Sequence, residues 1–358
     1  MTYTEEERAI IRLDSYGLEY SKKAKLYRLA PSARALFADF GKYRSAVAET
    51  AGEETAERIE RSLADKEYTD GLLHMYSEKR IECVAFVSEK YPEELRQIPD
   101  PPLMLYCRGN TDLLKERKFA IVGSRRTLPQ VMKRTEEFAE GLSSEFVIVS
   151  GLADGGDSAA VGGALNSGKV ISVLAYGFDH VYPGCNRALL ERVEKKGLAV
   201  SEYLPQEKPL PYHFPMRNRI IAGLSEGVLV VSGGGKSGTR ITAAKAYEYG
   251  RDVFAFPYSI GIPSGVGCNT LIKEYAKLTE NLVDIYAAFG INLTETEKIS
   301  LSAAERAVYE ILREGEAHIS EIAQKSGLKL HEVPIVLTML EMKKLAVSCG
   351  GNRWAAVC

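Results

Sequence analysis

The sequence predicts an α/β protein: a doubly wound parallel sheet at the centre, a small helical domain before it and a compact helix-and-ribbon unit after it. Three observations carry that expectation. Short apolar runs alternate with helical patterns from residue 119 to about 290. Glycine-rich segments follow directly on several of those runs. Three helical patterns and two short strand-like runs then occupy residues 301–358. With 358 residues, 45% hydrophobic and 26% charged, the chain can bury sizeable cores. At that length a prior of roughly two to three domains applies.

The elements justify themselves in order. Residues 1–75 read as short helices. Thr4 and Glu7 have the spacing of a capping box ahead of Ile10, Ile11 and Leu13. Ser32 is placed to cap a helix through Ala35, Leu36 and Phe37, with Gly41 expected to end it. A bridge follows over 76–118, where Pro92, Pro99, Pro101 and Pro102 forbid a long helix. Within it, Leu103 to Cys107 reads as an extended strand laid against the next element. The runs 119–123, 146–150, 170–175, 198–202, 227–231 and 252–256 are apolar and rich in β-branched or aromatic residues, as strands buried on both faces require. Parallel strands need crossover helices, and the intervening segments are long enough to supply them. The expected architecture over 76–291 is therefore an extended Rossmann-like doubly wound sheet. A polar stretch, 292–300, reads as a linker. In 301–358 the order helix, helix, turn, helix, two-stranded ribbon is that of a winged helix, with the ribbon turning at Gly350 and Gly351.

Composition removes several function classes. No run of 18 apolar residues is present, so no membrane span is expected. The first residues are charged and lack the apolar core of a secretory signal. The six cysteines are spaced 24, 78, 83, 81 and 9 apart, which fits neither a disulfide framework nor a metal site. Reduced thiols and a cytoplasmic location are the expectation, with no metal and no cofactor. The formal net charge of −2 conceals a local excess: residues 205–251 carry +4. An anionic partner would meet a local basic face.

Ligands of doubly wound sheets bind outside the carboxyl ends of the strands. Four such ends stand out. Gly123, Ser124 and Arg125 follow the first run; a tight turn with a guanidinium suits a phosphate, although a solvated arginine pair (Arg125, Arg126) is the plainer alternative. Gly151 to Asp157 follows the second, and its acids, Asp154 and Asp157, are expected to be structural. Arg217, Asn218 and Arg219 open a helix. The two arginines point to different faces, so one can reach a phosphate while the other makes an internal ion pair. Gly234, Gly235, Lys236, Ser237 and Gly238 follow the fifth run and resemble a phosphate cradle. The GxxxxGK[ST] frame is absent, because Val230 stands where its first glycine belongs, so triphosphate hydrolysis is not expected. No nucleophile–base pair and no spaced carboxylate pair is visible, so no catalytic residue is assigned.

From about Tyr91 to Ala276 these segments together resemble the bacterial DprA (Smf) family. The resemblance rests on YPEELRQIPDPPLMLYCRG, AIVGSRR, IVSGLADGGD, VISVLAYGFDHVYPGCN, FPMRNRIIAGLSEGVLVVSG, SGTRITAAKAYEYGRDVFAFP and GCNTLIKE, in that order. The first 75 residues look like the family's sterile-alpha-motif-like module and the last unit like its winged helix. The resemblance implies a binding protein that is not an enzyme. It would hold and protect single-stranded DNA, load the RecA recombinase in recombination and natural transformation, and form a homodimer through the Rossmann-like domain. It implies DNA contacts by Arg125, Arg217, Arg219 and Lys236, with Lys169 as a further basic candidate. The chain departs from the family at Gly155-Gly156-Asp157 for GID, Ala160-Val161 for AH and Val230-Val231-Ser232-Gly233 for VVEA. Tyr176, Phe178, Tyr182, Tyr212 and Phe214 fall near strand ends, where aromatics either stack on bases or pack.

Two other readings compete. SGGGKSGTRIT is similar to the PGGxGTxxE loop of the Lonely Guy phosphoribohydrolases, but Thr242 stands where that chemistry needs a glutamate. A transcription regulator would read duplex DNA through the winged helix. Its third helix opens with His331, Glu332, Val333 and Pro334 and keeps Lys343 and Lys344 for its far end, which favours a protein contact over base readout.

Overall fold

The computed structural model describes residues 2–291, 302–343 and 345–357. The segment 292–300 expected as a linker, and Lys344, lie outside the described residues. The chain divides into two compact units, Met1–Ile285 and Tyr286–Cys358.

The first unit opens with six helices: α1 (Glu5–Asp14), α2 (Tyr20–Arg28), α3 (Ala33–Ala38), α4 (Phe40–Ala51), α5 (Glu53–Ala64) and α6 (Tyr68–Glu78). The capping box forms: Glu7 N donates to Thr4 Oγ1 at 3.2 Å and Thr4 N donates to Glu7 Oε2 at 2.7 Å. Ser32 caps α3, but Gly41 does not end it. Asp39, at φ −126° and ψ 48°, breaks the helix first, and Gly41 lies inside α4. A break at negative φ needs no glycine.

The sheet elements follow: β1 (Glu82–Ala85), α7 (Glu93–Arg96), β2 (Met104–Gly109), β3 (Lys118–Val122), α8 (Pro129–Leu142), β4 (Val147–Ser150), α9 (Gly156–Ala164), β5 (Val170–Leu174), α10 (Arg187–Lys196), β6 (Leu198–Ser201), α11 (His213–Leu224), β7 (Gly227–Val230), α12 (Gly238–Glu248), β8 (Asp252–Ala255), α13 (Val266–Glu274) and β9 (Lys277–Leu278). Their order across the sheet is β1-β2-β6-β5-β4-β3-β7-β8-β9. From β6 to β9 all neighbours are parallel; β1 and β2 add an antiparallel edge. Successive strands from β3 build outward through β4, β5 and β6. The chain then returns to the other side of β3 and builds β7, β8 and β9. The winding therefore reverses between β3 and β7, and that is where such a sheet opens its ligand crevice. The parallel strands expected from 119 onward are all present. β1 and β9, the two edge strands, were not expected; each pairs with one neighbour only.

The helices α1–α6 and the sheet belong to one unit because a buried polar network joins them. Lys23 Nζ donates to Asp14 Oδ1 at 2.6 Å, and Tyr106 Oη, from β2, donates to Asp14 Oδ2 at 2.7 Å. Asp14 and Tyr106 are both buried. Burial with its partners in place holds the Lys23 ammonium in the charged state despite the cost of desolvation, because Asp14 and the nearby carboxylates raise its pKa.

The division falls within α14 (Leu282–Ala288); beyond it the second unit contains α15 (Ala303–Glu314), β10 (Ala317–His318), α16 (Ile319–Ser326), α17 (Val333–Met342), β11 (Ala346–Gly350) and β12 (Arg353–Ala356). Its sheet has the order β10-β12-β11 around its own apolar core of Val308, Leu312, Ile322, Val333, Leu337 and Leu340. This is a winged helix. The ribbon turns where expected, with Gly350, Gly351 and Asn352 all at positive φ.

Replacing Asp14 with alanine leaves the buried Lys23 unpaired. The expected loss is about 3–5 kcal/mol of unfolding free energy, read as a lower urea midpoint of the intact chain.

Candidate nucleic-acid interface

Two loops meet at the crevice, one after β3 and one after β7. Ser232 joins them. Ser124 N donates to Ser232 O at 3.1 Å and to Ser232 Oγ at 2.9 Å, and Thr127 Oγ1 donates to Ser124 O at 2.7 Å. Ser232 is fully buried and stands at one of the chain's departures from the family pattern. The departure thus supplies a hydroxyl that fastens one crevice loop to the other.

Behind these loops lies a second fastening, the buried Asp157. Gly123 N donates to Asp157 Oδ1 at 2.9 Å, and the backbone N–H groups of Gly151 and Ala153 also stabilise the carboxylate. Burial pushes the Asp157 carboxyl up; the Arg217 guanidinium and those three N–H groups oppose it. Burial also lowers the Arg217 pKa, against the pull of Asp157. Arg217 Nη1 donates to Gly151 O at 2.8 Å and to Val173 O, and its Nε donates to Asn218 Oδ1 at 3.1 Å. Through these backbone hydrogen bonds one carboxylate and one guanidinium tie together the ends of β3, β4 and β5. The loops press close enough to demand glycine: Gly155 is at φ +77°, and a Cβ there would lie 2.3 Å from Ser124 O.

These contacts sort the expected site residues. Arg217 and Arg219 are withdrawn from any solvent face, with relative exposures of 4% and 2%. Arg219 Nη2 donates to Glu202, its Nε lies 3.4 Å from Asp100 Oδ2, and its guanidinium sits 5.0 Å over the Tyr20 ring. The expectation that both arginines meet DNA therefore gives way to a structural role. On α11 they turn inward: Arg217 donates to backbone carbonyls and Arg219 to Glu202, although Arg219 Nε and Nη1 are buried without a hydrogen-bond partner. Lys169 is displaced too. It directly precedes β5, at the amino end of the strand, and pairs with Glu116 at 3.5 Å. The crevice is at the opposite edge.

Arg125 and Lys236 remain at the crevice, exposed, and no carboxylate pairs with either among the described residues. Arg126 is exposed beside Arg125. Arg125 lies over two rings, 5.5 Å from Phe214 and 5.8 Å from Tyr182, which themselves meet edge-on at 5.4 Å. Arg125, Tyr182, Phe214, Asn218, Gly238 and Ile241 line an open groove of about 420 Å³, completed by three prolines, Pro209, Pro211 and Pro215. Asn218 Nδ2 donates to Gly238 O at 3.3 Å at its floor. The glycine-rich turn leads into this groove. Gly233 N donates to Ser264 O at 2.7 Å and Ser237 N to Gly234 O at 3.2 Å, so those two N–H groups are taken. Gly234, Gly235 and Lys236 carry the turn between them and stand at the amino end of α12, a favourable place for an anion. Gly123 and Ser124 act behind the groove, since their N–H groups serve Asp157 and Ser232.

Of the five aromatic candidates, Tyr176 and Phe178 are buried, whereas Tyr182 and Tyr212 are exposed and Phe214 is half-buried. Sequence reading missed Ser232 and the three groove prolines. The proline spacing around PLPYHFP was the available signal. His213 is buried, and Nδ1, in the tautomer that carries its proton there, donates to Ala175 O at 3.3 Å; burial lowers its pKa. Among the described residues no group of three or more His, Cys, Asp or Glu could hold a metal, and no helix is long and apolar enough to cross a membrane.

Comparison with known proteins points the same way as the fold. The model of the family described as DNA recombination-mediator protein A matches residues 82–290, and that of the DprA winged helix domain matches 294–352. The chain is similar to the DNA processing protein DprA of Streptococcus pneumoniae, 47% identical over 206 residues that cover 57% of this chain and 73% of that protein. DprA of Bacillus subtilis is 41% identical over 218 residues, covering 60% and 73%. The X-ray structure of DprA from S. pneumoniae matches with a TM-score of 0.67 at 37% identity, over 80% of this chain and 98% of that one. DprA of Helicobacter pylori, whose structure addresses its single-stranded DNA binding mode, matches with a TM-score of 0.54 at 31% identity, over 59% and 95%.

Arginines of the crevice should separate by what they do when removed. Arg217→Ala leaves the buried Gly151 and Val173 carbonyls without their guanidinium donor and Asp157 without the opposing charge nearby, and is expected to cost about 3–5 kcal/mol of stability. Arg125→Ala, at an exposed unpaired residue, is expected to stay within about 0.5 kcal/mol of the parent. Chemical unfolding of the two variants side by side measures both.

Proposed function

The chain belongs to the DNA recombination-mediator protein A family, and from that premise we propose that it binds single-stranded DNA in the crevice groove and loads the RecA recombinase onto it. The groove carries this reading. An unpaired guanidinium lies over two accessible rings at the reversal point of the sheet, beside a lysine on a glycine turn. A single strand offers phosphates and unstacked bases at close spacing. Arg125, Arg126 and Lys236 suit the phosphates, and Tyr182 and Phe214 suit the faces of the bases. Gly234, Gly235, Ser237 and Gly238 let the backbone approach. Neither rings nor cations read base identity, so little sequence preference is expected.

The role needs binding and release, not bond chemistry, and we assign no catalytic residue, metal or cofactor to it. Thr242, where a phosphoribohydrolase would need its glutamate, is buried. We further propose that the protein works in the cytoplasm, in recombination and natural transformation, and as a homodimer through the sheet domain. The support for the last is an edge: β9 ends the sheet with Leu278 and the nearby Val283 exposed, and an open edge with apolar neighbours favours pairing.

Fluorescence anisotropy on a labelled oligothymidylate tests the binding reading. The parent should bind with an affinity that falls steeply with salt. Arg125→Ala and Lys236→Ala should each weaken binding and flatten the log–log salt slope by about 0.7 for each phosphate that is no longer neutralised. Phe214→Ala should lose about 1–3 kcal/mol of affinity with the slope unchanged, because stacking releases no counterions. Unaltered binding in all three variants would move the DNA site elsewhere. The loading step is read separately, as faster onset of RecA ATP hydrolysis on DNA coated with single-strand-binding protein; no acceleration would remove that step from the proposal.

A further inference from the structure

A second hollow lies on the other side of the first turn of α11. It has a volume of about 380 Å³ and is walled by the α1–α2 connection, the segment before β2 and the loop after β6. Phe214, Pro215 and Asn218 of α11 face the groove described above, whereas Tyr212, His213 and Met216 face this cavity.

Its walls combine rings with an excess of negative charge. Tyr20, Tyr203 and Tyr212 line it, and Tyr203 and Tyr212 both pack on His213, with centroids 4.0 and 4.6 Å away. Asp14, Glu19, Glu202 and Glu207 line it as well, against one lining cation, Lys23. Lys23 is committed to Asp14. Glu202 is served from behind by Arg219, whose guanidinium also covers one face of Tyr20. That leaves Glu207. Its Oε1 accepts the Leu204 N–H at 3.1 Å, and no cation pairs with it among the described residues. Burial pushes its carboxyl up, with Asp14 and Glu202 adding to the effect and Lys23 opposing it. His213 supplies no counter-charge, because burial favours its neutral form.

We propose that this cavity binds a small organic cation, a guanidinium or ammonium group on a short aliphatic body. The protein's own Arg219 shows the chemistry that this wall accepts: a carboxylate on the edge and a tyrosine ring on the face. A ligand cation repeats that arrangement from inside the cavity, with Glu207 on its charged end and Tyr203 and Tyr212 along its body. The volume falls in the range of small-ligand sites, roughly 300–1,000 Å³. Glu19, exposed at the rim, adds attraction for a positive ligand and not for an anion. The cavity has its own walls and charges, so this proposal does not rest on DNA binding in the groove.

Isothermal titration of the full chain with agmatine, which carries both cationic groups, tests it at constant ionic strength. Butane-1,4-diol is the uncharged control. Saturable binding of agmatine without binding of the diol is expected. Glu207→Gln keeps the acceptor for Leu204 N–H and should weaken agmatine about tenfold or more, as loss of a charged hydrogen bond does. Tyr212→Ala, at an exposed residue that the fold does not need, should weaken it severalfold and carries the test if Glu207→Gln fails to fold. No binding by the parent, equal binding of the diol, or parental affinity in the folded variants would overturn the proposal.

Discussion

The buried Asp157 and Arg217 hold the crevice in shape, and most of the site depends on them. The carboxylate accepts from Gly123 N after β3, and the guanidinium donates to Gly151 O after β4 and Val173 O in β5. Both groups are nearly out of water. In such surroundings neither can lose its backbone partners or the opposite charge nearby without a large cost. The strand ends are thereby fixed relative to one another, and the loops that carry Arg125 and Lys236 start from fixed points. Ser232 extends the same fastening to β7 by accepting from Ser124 N.

The cations near the strand ends divide their labour. Arg217 and Arg219 are buried and serve neighbouring protein groups, whereas Arg125 and Lys236 are exposed, with no carboxylate partner among the described residues. An exposed cation with a local partner would have to give it up before meeting a phosphate. Arg125 instead rests on rings, which hold it in place while leaving its donors open. Preorganisation of that kind reduces the ordering cost on binding.

The first turn of α11 connects the two hollows of the first unit. Successive residues along it face opposite ways, toward the groove and toward the anionic cavity. The helices before the sheet thus contribute more than a separate module: through Asp14, Lys23 and Tyr20 they complete a wall that the sheet domain alone would leave open. Lys23 and Tyr106 meet on Asp14 because a buried carboxylate needs both a charge and a hydrogen-bond donor.

Residue pattern alone determined the α/β class, the parallel strands from β3 to β8, the winged helix and the importance of the strand ends. These follow from local rules: apolar runs of strand length, helical spacing between them, and glycines where a backbone must turn. It also marked Arg125 and Lys236, which the fold leaves exposed at the turns after β3 and β7. It did not separate them from Arg217 and Arg219, since four cations near strand ends look alike in one dimension. Only the packing of α11 decided that Arg217 and Arg219 face inward, and only strand direction decided that Lys169 lies at the wrong edge. The strand over Leu103–Cys107 was legible and became β2, but its pairing with β1, the Ser232 bridge and the merging of the first helices with the sheet were out of reach. Each depends on partners distant in sequence, whose meeting is set by burial of the whole unit and leaves no periodicity in the chain.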